Sequence, residues 1–439
     1  MPAPIPLTYE RIFRLWGPLA ATWLMMAAEG PFLAAVIARL DEPTFNLAAY
    51  GVAFALALVV EAPIIMILSA ATALVEDWDS FRKLRNFTYV LNLLITLLMF
   101  VVIWPPVFDW LAVDVLVLPT EVRVLTHQSL VLLLPWPAAI GYRRFYQGLL
   151  IRQEMTRRVA YGTAVRVVTM ATTAVVLYVQ FRLPGALVGA ASLSSGVVVE
   201  SVATRLMALG IPDRIRALEP SQDVLTYRRI ADFYWPLALT SVISLAVHPM
   251  VTFSLGQSRL ALESLAVYPV VTALTFIFRS VALSYQEVAI TLLDGTRENY
   301  RLIARFAFVL GVLATVGLVV IAFTPLAGVW FQTVSGLSKE LVELSVRPLQ
   351  LFCLIPFFSV LLAFQRSILV FGRYTRPVTV ATVIEVTAIV GLLFLTIRVL
   401  DMVGVVGAVL ALFGGRLVGN TSMMFPVYRV LVANGIYRR

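Results

Sequence analysis

The sequence predicts an all-α integral membrane protein of about twelve transmembrane helices, in two six-helix bundles related by a pseudo-two-fold axis along the membrane normal. Three observations predict it. The 439 residues are 60% hydrophobic and 13% charged, with a mean hydropathy of +0.90, which leaves too little polar surface to cover a soluble globule. Apolar stretches of the roughly 20 residues needed to cross about 30 Å of hydrocarbon follow one another almost without pause. The third observation is that one unit occurs twice.

Tyr9-Glu10-Arg11-Ile12-Phe13-Arg14-Leu15-Trp16-Gly17-Pro18-Leu19-Ala20-Ala21-Thr22 returns as Tyr227-Arg228-Arg229-Ile230-Ala231-Asp232-Phe233-Tyr234-Trp235-Pro236-Leu237-Ala238-Leu239-Thr240. Near-constant spacing then matches Pro31 with Pro249, Leu47-Ala48-Ala49-Tyr50 with Leu265-Ala266-Val267-Tyr268, Pro137 with Pro356, Phe145 with Phe364, Thr156-Arg157 with Thr375-Arg376, and Thr163 with Thr382.

The first span, 12–38, is longer than a signal-peptide core and is read as uncleaved. Spans 47–75, 87–104, 124–150, 159–181 and 184–210 complete the first lobe, residues 1–210. A polar connection, 211–228, carries Asp213, Arg214, Arg216, Glu219, Pro220 and Asp223. The second lobe, 229–439, holds spans 229–256, 262–292, 301–323, 340–371, 378–398 and 402–432. An even number of spans returns the chain to its starting side, so the repeat is parallel. Pro31, Pro63, Pro137, Pro249, Pro269 and Pro356 read as mid-span prolines, each removing a backbone donor. Membrane helices also tolerate prolines without consequence. The symmetric pair Pro31 and Pro249 is the candidate hinge.

The net charge of +9 raises nucleic-acid binding, but its distribution answers topology instead. Basic residues gather near Arg11 and Arg14, Arg82–Arg85, Arg152–Arg158, Arg205–Arg229, Arg297–Arg305, Arg373 and Arg376, and the Arg438-Arg439 tail, and the alternate connections hold most of the loop acids. By the positive-inside rule both termini are cytoplasmic, in a multi-pass protein of the cell's inner membrane, with no nucleic-acid partner. The lone cysteine, Cys353, excludes an intrachain disulfide and disfavours a thiolate metal cluster. Absence of a Walker loop, a paired-histidine zinc spacing and a nucleophile elbow argues against an enzyme and against ATP as the energy source. No cofactor is expected beyond a coupling proton or sodium ion.

Charges inside a span are expensive and mark function or pairing. Glu61 lies midway along its span and its repeat equivalent is Arg279; Arg166 has the equivalent Glu385, so the sign inverts at both positions. Glu29 stands beside Pro31 as His248 stands beside Pro249, and Arg416 lies mid-span near Gly414, Gly415 and Asn420. Two readings stand. Glu61 pairs with Arg166 and Arg279 with Glu385 inside each lobe, across a depth difference of about 8 Å. Alternatively, Glu61 and Arg279 face each other across a cleft between lobes and bind substrate or latch a closed state. Glu29 and Glu61 are candidates for the coupling ion, since a carboxylate in low dielectric can take up a proton near neutral pH. His248 can titrate or simply pack. Arg143, Arg144 and Arg366 are expected to snorkel to the headgroups.

The Pro-Leu near the start of both lobes and Leu47-Ala48-Ala49-Tyr50-Gly51 resemble the multidrug/oligosaccharidyl-lipid/polysaccharide (MOP) flippase superfamily, which includes the multidrug and toxic-compound extrusion (MATE) transporters. Phe233-Tyr234-Trp235-Pro236-Leu237-Ala238-Leu239, Arg347-Pro348-Leu349-Gln350-Leu351-Phe352 and Ala49-Tyr50-Gly51 are similar to the progressive ankylosis protein group. The resemblance implies a V-shaped pair of bundles alternating between inward-open and outward-open forms. It would put Glu29, Glu61, His248 and Arg279 on the cleft walls. Extrusion transporters often carry an acid where Glu29 stands, and the ankylosis group is linked to export of pyrophosphate, nucleotides and citrate. Mixed cleft charges argue against a highly charged phosphate here. The expected function is a monomeric secondary transporter exporting a small organic solute, with an organic anion favoured. A cation-coupled multidrug exporter, a lipid-linked flippase and a non-transporting scaffold or receptor are the alternatives.

Overall fold

The computed structural model describes residues 7–37, 39–116, 118–221, 224–335 and 337–436. The first repeat runs α1 (Tyr9–Ile37), α2 (Pro43–Glu61), a 3-10 turn (Ala62–Ile64), α3 (Ile67–Leu74), α4 (Trp78–Ile103), α5 (Pro105–Asp109) continuing into a π-turn (Trp110–Val115), α6 (Thr120–Leu132), α7 (Trp136–Arg152), α8 (Thr156–Phe181) and α9 (Gly185–Met207). After the short α10 (Ile211–Arg216), the second repeat runs α11 (Tyr227–Gly256), α12 (Ala261–Leu292), α13 (Arg297–Ala322), α14 (Leu326–Gly328) into a π-turn (Val329–Val334), α15 (Lys339–Leu351), α16 (Ile355–Phe371), α17 (Arg376–Leu393) into a π-turn (Phe394–Val399), and α18 (Gly404–Ala433). The duplication extends to one irregularity: the π-turn at Trp110–Val115 falls on the one at Val329–Val334.

Among the described residues, 10 helices are long and apolar enough to cross a membrane, and 11 if the bent pair α15 and α16 counts as one span. At 29 residues α1 is the twelfth rod, about 44 Å long. The predicted spans 124–150 and 340–371 are each two helices, and the second pair bends by 42°. Pro137 and Pro356 thus stand in the first turn of α7 and α16, where a missing N–H has no partner to lose. Pro63 does break a span, between α2 and α3, whereas its counterpart α12 runs unbroken past Arg279. At Pro31 and Pro249 the backbone is helical; their side chains lie outside the described residues, as does the Arg438-Arg439 tail.

The chain forms two compact units, Met1–Leu24 with Val242–Arg439, and Met25–Ser241. Their boundaries fall inside α1 and α11, not at 210 and 229. The reason is local bonding. The indole of Trp16 donates to Ser284 Oγ at 2.9 Å and meets the Phe306 ring edge-on, 5.7 Å away, so the first turns of α1 belong with the second repeat. Tyr234, the repeat equivalent of Trp16, donates its hydroxyl to the Pro63 carbonyl and packs edge-on against Phe87 at 5.2 Å, so the first turns of α11 belong with the first. Both anchors serve the same place, because Ser284 passes its own proton to the carbonyl of Val281, which is the counterpart of Pro63.

The connection docks on the first-repeat unit. Asp77 and Ser80 form a reciprocal cap at the start of α4. Ser221 donates its N–H to Asp77 Oδ2 at 2.9 Å and its hydroxyl to Glu76 Oε2 at 3.2 Å, while Arg216 lies over Trp78 at 4.3 Å. Burial pushes the Asp77 carboxyl up, but the hydrogen bonds from Ser80, Ser221 and Asp79 outweigh it and hold it below its ordinary 3.8. Asp223 lies outside the described residues.

Candidate functional site

In the Met25–Ser241 unit, four helices aim charge at one point. Arg166 of α8 meets Glu29 of α1 at 2.5 Å and Glu200 of α9 at 3.7 Å. Arg143 of α7 closes a short bond to the same Glu200, which also accepts from Gln147 at 3.3 Å and Thr163 at 3.1 Å. Glu200 is 0% exposed and Arg143 1%. A carboxylate so deep persists only because both its oxygens are engaged by donors or by charge. Glu61, at the end of α2, is buried as well; its Oε2 has no hydrogen-bond partner, and Arg144, Arg143 and Arg166 act on it electrostatically. Three acids thus stand among three guanidiniums, and the group is neutral overall.

The unit holding Val242–Arg439 repeats the device with the charges exchanged. Glu385 now sits on α17, the counterpart of α8, and Arg416 on α18, the counterpart of α9, with Arg416 Nε 3.1 Å from Glu385 Oε1. Small residues bring each helix pair together at this level. A Cβ on Gly196 would come within 2.4 Å of Met170 Cγ and 3.1 Å of the Arg166 carbonyl, and one on Gly415 within 2.3 Å of Ile389 Cγ1 and 3.1 Å of the Glu385 carbonyl. Gly419 replaces Glu200, and a Cβ there would sit 2.9 Å from Glu385 Oε2, so the glycine leaves room for the relocated acid.

Around this pair the second unit places more positive charge. Arg366 donates to Thr382 Oγ1 at 3.2 Å, and Arg279 keeps a buried Nε with no hydrogen-bond partner. Glu385 and Arg416 act on both arginines electrostatically. His248 is exposed and lies within electrostatic range of Arg279. Asn420 fixes the neighbourhood, donating to the Arg416 carbonyl at 2.9 Å and to that of Phe358 at 3.2 Å.

The partners differ from those the spacing suggested. Glu61 is not the carboxylate bonded to Arg166; Glu29 and Glu200 are. Glu385 bonds to Arg416, and Arg279 reaches it only through space. The snorkelling expected of Arg143, Arg144 and Arg366 does not occur: Arg143 and Arg144 are buried and Arg366 is half-buried on Thr382. Glu200 escaped the reading because its repeat equivalent is a glycine, although an acid within Val197-Val198-Val199-Glu200 was signal enough on its own. Among the described residues no three His, Cys, Asp or Glu side chains gather as a metal site.

No family model matches the sequence, and no curated protein does. Solved structures match it end to end. An outward-facing multidrug resistance MATE family transporter of the MOP superfamily aligns at TM-score 0.77 and 14% identity, over 97% of this chain and 96% of that one. A eukaryotic MATE transporter, AtDTX14, aligns at 0.78 and 13%, over 97% of each chain. A MOP superfamily transporter from Pyrococcus furiosus, described as having a binding pocket of reverse polarity that suggests a different function, aligns at 0.73 and 15%, over 96% of each. The chain has the fold of the MATE transporters.

Proposed function

We propose that this protein is a secondary transporter that moves a small organic anion out of the cell by alternating access, energised by a proton or sodium ion. The observation that carries the reading is the charge excess in the second-repeat unit: Arg279, Arg366 and Arg416 stand about the single carboxylate Glu385. The other buried acid of this unit, Glu287, is two turns and about 12 Å of rise along α12 from Arg279. Unbalanced guanidiniums in low dielectric call for an anion to complete them. The Pyrococcus furiosus neighbour, described as having a pocket of reverse polarity, and the likeness to the progressive ankylosis group lean the same way.

The balanced cluster of the other unit supplies the coupling site. Glu29 holds Arg166 at 2.5 Å; a proton or sodium ion taken up by Glu29 releases that guanidinium toward Glu200, already 3.7 Å away. Glu61, with one free buried oxygen, is the second carboxylate able to take the ion. The chain works as a monomer in the inner membrane, and the distribution of its basic loops supports cytoplasmic termini.

The test is uptake of labelled citrate and succinate, with ethidium alongside, into proteoliposomes holding a proton or sodium gradient. Anion uptake that Arg279→Gln abolishes while the purified variant keeps its melting temperature supports the reading. Ethidium transport with no anion transport overturns it in favour of a multidrug exporter, the second reading, which the multidrug resistance neighbour favours.

A further inference from the structure

We propose that the first-repeat unit carries a built site for the phosphate of an anionic phospholipid, formed by Arg85 and Tyr89 of α4, Tyr142 and Tyr146 of α7, and Arg205 of α9. None of these residues belongs to the ion clusters described above. The five side chains form one connected group, with Tyr146 buried at its centre. Arg85 lies over the rings of Phe81 and Tyr89, at 5.6 and 6.0 Å; Tyr89 stacks on Tyr142 at 6.1 Å and shares a 3.3 Å hydroxyl contact with Tyr146; Arg205 lies over Tyr146 at 4.9 Å.

Three features point to a ligand. The guanidiniums lie against aromatic rings and not carboxylates, which leaves N–H donors unspent. Arg85 Nε and Arg205 Nη1 are buried without a hydrogen-bond partner, Arg85 otherwise reaches only Asn86 Oδ1 at 3.4 Å, and neither arginine pairs with an acid among the described residues. The depth is that of a headgroup. Below Arg85 the outer face of α4 carries Asp79, Arg82 and Lys83, paired with one another; above it the exposed residues are Val90, Leu93, Leu94 and Leu97. Arg205 occupies the last turn of α9, next to exposed Val202 and Leu206. Finally, the duplication supplies its own control. The equivalent positions in the second repeat are Ala304, Phe308, Leu361, Gln365 and Met424, so the fold does not require this group.

A phosphodiester at the water–hydrocarbon boundary, with one negative charge and acceptor oxygens facing two guanidiniums and the phenol hydroxyls, completes the site, and a net-negative headgroup is preferred over a zwitterionic one. The experiment is binding of phosphatidylglycerol to the full-length protein in detergent, followed by native mass spectrometry, with phosphatidylcholine and inorganic phosphate as parallel probes. Arg85→Gln with Arg205→Gln is expected to weaken phosphatidylglycerol binding about thirtyfold, at roughly one interfacial charge each. Arg301→Gln with Arg305→Gln, which removes the same charge from α13, is expected to change it less than about twofold by the same reasoning. Tyr89→Phe keeps the ring and loses the hydroxyl, and Arg205→Lys keeps the charge; both leave the fold intact and report if the double variant unfolds. Equal loss in the two double variants, unchanged binding in the first, or displacement of the lipid by millimolar inorganic phosphate overturns the proposal.

Discussion

The two repeats build the same helix pair around the same kind of ion pair, but exchange its ends. In the first, the arginine is on α8 and the acid on α9; in the second, the acid is on α17 and the arginine on α18. The pairing geometry survives, and the surroundings do not. Glu200 is enclosed by Arg143, Arg166, Gln147 and Thr163, with Glu29 behind Arg166, whereas Glu385 stands alone among arginines. A duplicated scaffold has thus been divided into a half with balanced buried charges and a half with excess positive charge. Inverting a buried pair leaves packing intact while it reverses the local field, which makes it an economical way for duplicates to diverge.

Removing the acid from each half should break this comparison most visibly. Glu200→Ala leaves two fully buried guanidiniums without their shared partner and is expected to lower stability by about 3–5 kcal/mol. Glu385→Ala frees Arg416, whose side chain is 16% exposed and can turn toward water, so a loss of about 1–2 kcal/mol is expected. Tryptophan-fluorescence melts of the two variants in detergent decide it. Equal losses would mean that the two acids are equally needed by their neighbouring guanidiniums.

Next come the anchors. Tyr234→Phe strands the Pro63 carbonyl where the span has broken, an expected loss of about 1–3 kcal/mol. Trp16→Phe leaves Ser284 bonded to Val281 at 2.8 Å, and about 0.5–1.5 kcal/mol is expected. The same melts rank the pair, and the reverse order would show that the unbroken α12 depends on its anchor more than the broken span does.

The smallest difference lies in the caps of α4 and α13. Asp77 caps the first and Thr296 the second, at equivalent positions. Alanine at either is expected to lose about 1 kcal/mol at neutral pH. The Asp77 contribution depends on pH through the capping carboxylate itself. Its folded pKa is lowered, so its stabilisation is complete above the ordinary 3.8 and fades as pH falls through that value toward the folded one. Unfolding by pH titration from 6 to about 3 should therefore bring Asp77→Ala and the parent together.

The fold was legible because proline, tyrosine and Thr-Arg recur in order, and apolar runs of membrane length leave few alternatives. Every charged residue singled out within a span does lie inside the helices, yet the bonded partners of Arg166 and Glu385 within each repeat are not the ones that spacing suggested. Position along a helix gives depth, and pairing depends on which way a side chain faces its neighbours. Arg143 looked like a boundary residue beside Arg144, but α7 begins late, at Trp136, and carries it into the interior. Glu200 was hidden by reliance on symmetry, since a glycine opposite an acid registers as no match. The exchanged ends of α1 and α11 were out of reach, because a repeat boundary in sequence need not be a boundary in packing.

That exchange limits how the molecule can be divided. A fragment ending in the connection would contain α1 without the Ser284 that receives Trp16, and the fragment beginning at Tyr227 would contain Tyr234 without the carbonyl it caps. Neither polypeptide carries a complete interior, so each should be degraded when produced by itself. Produced together in one cell they should complement one another and co-purify, as two chains doing the work of one.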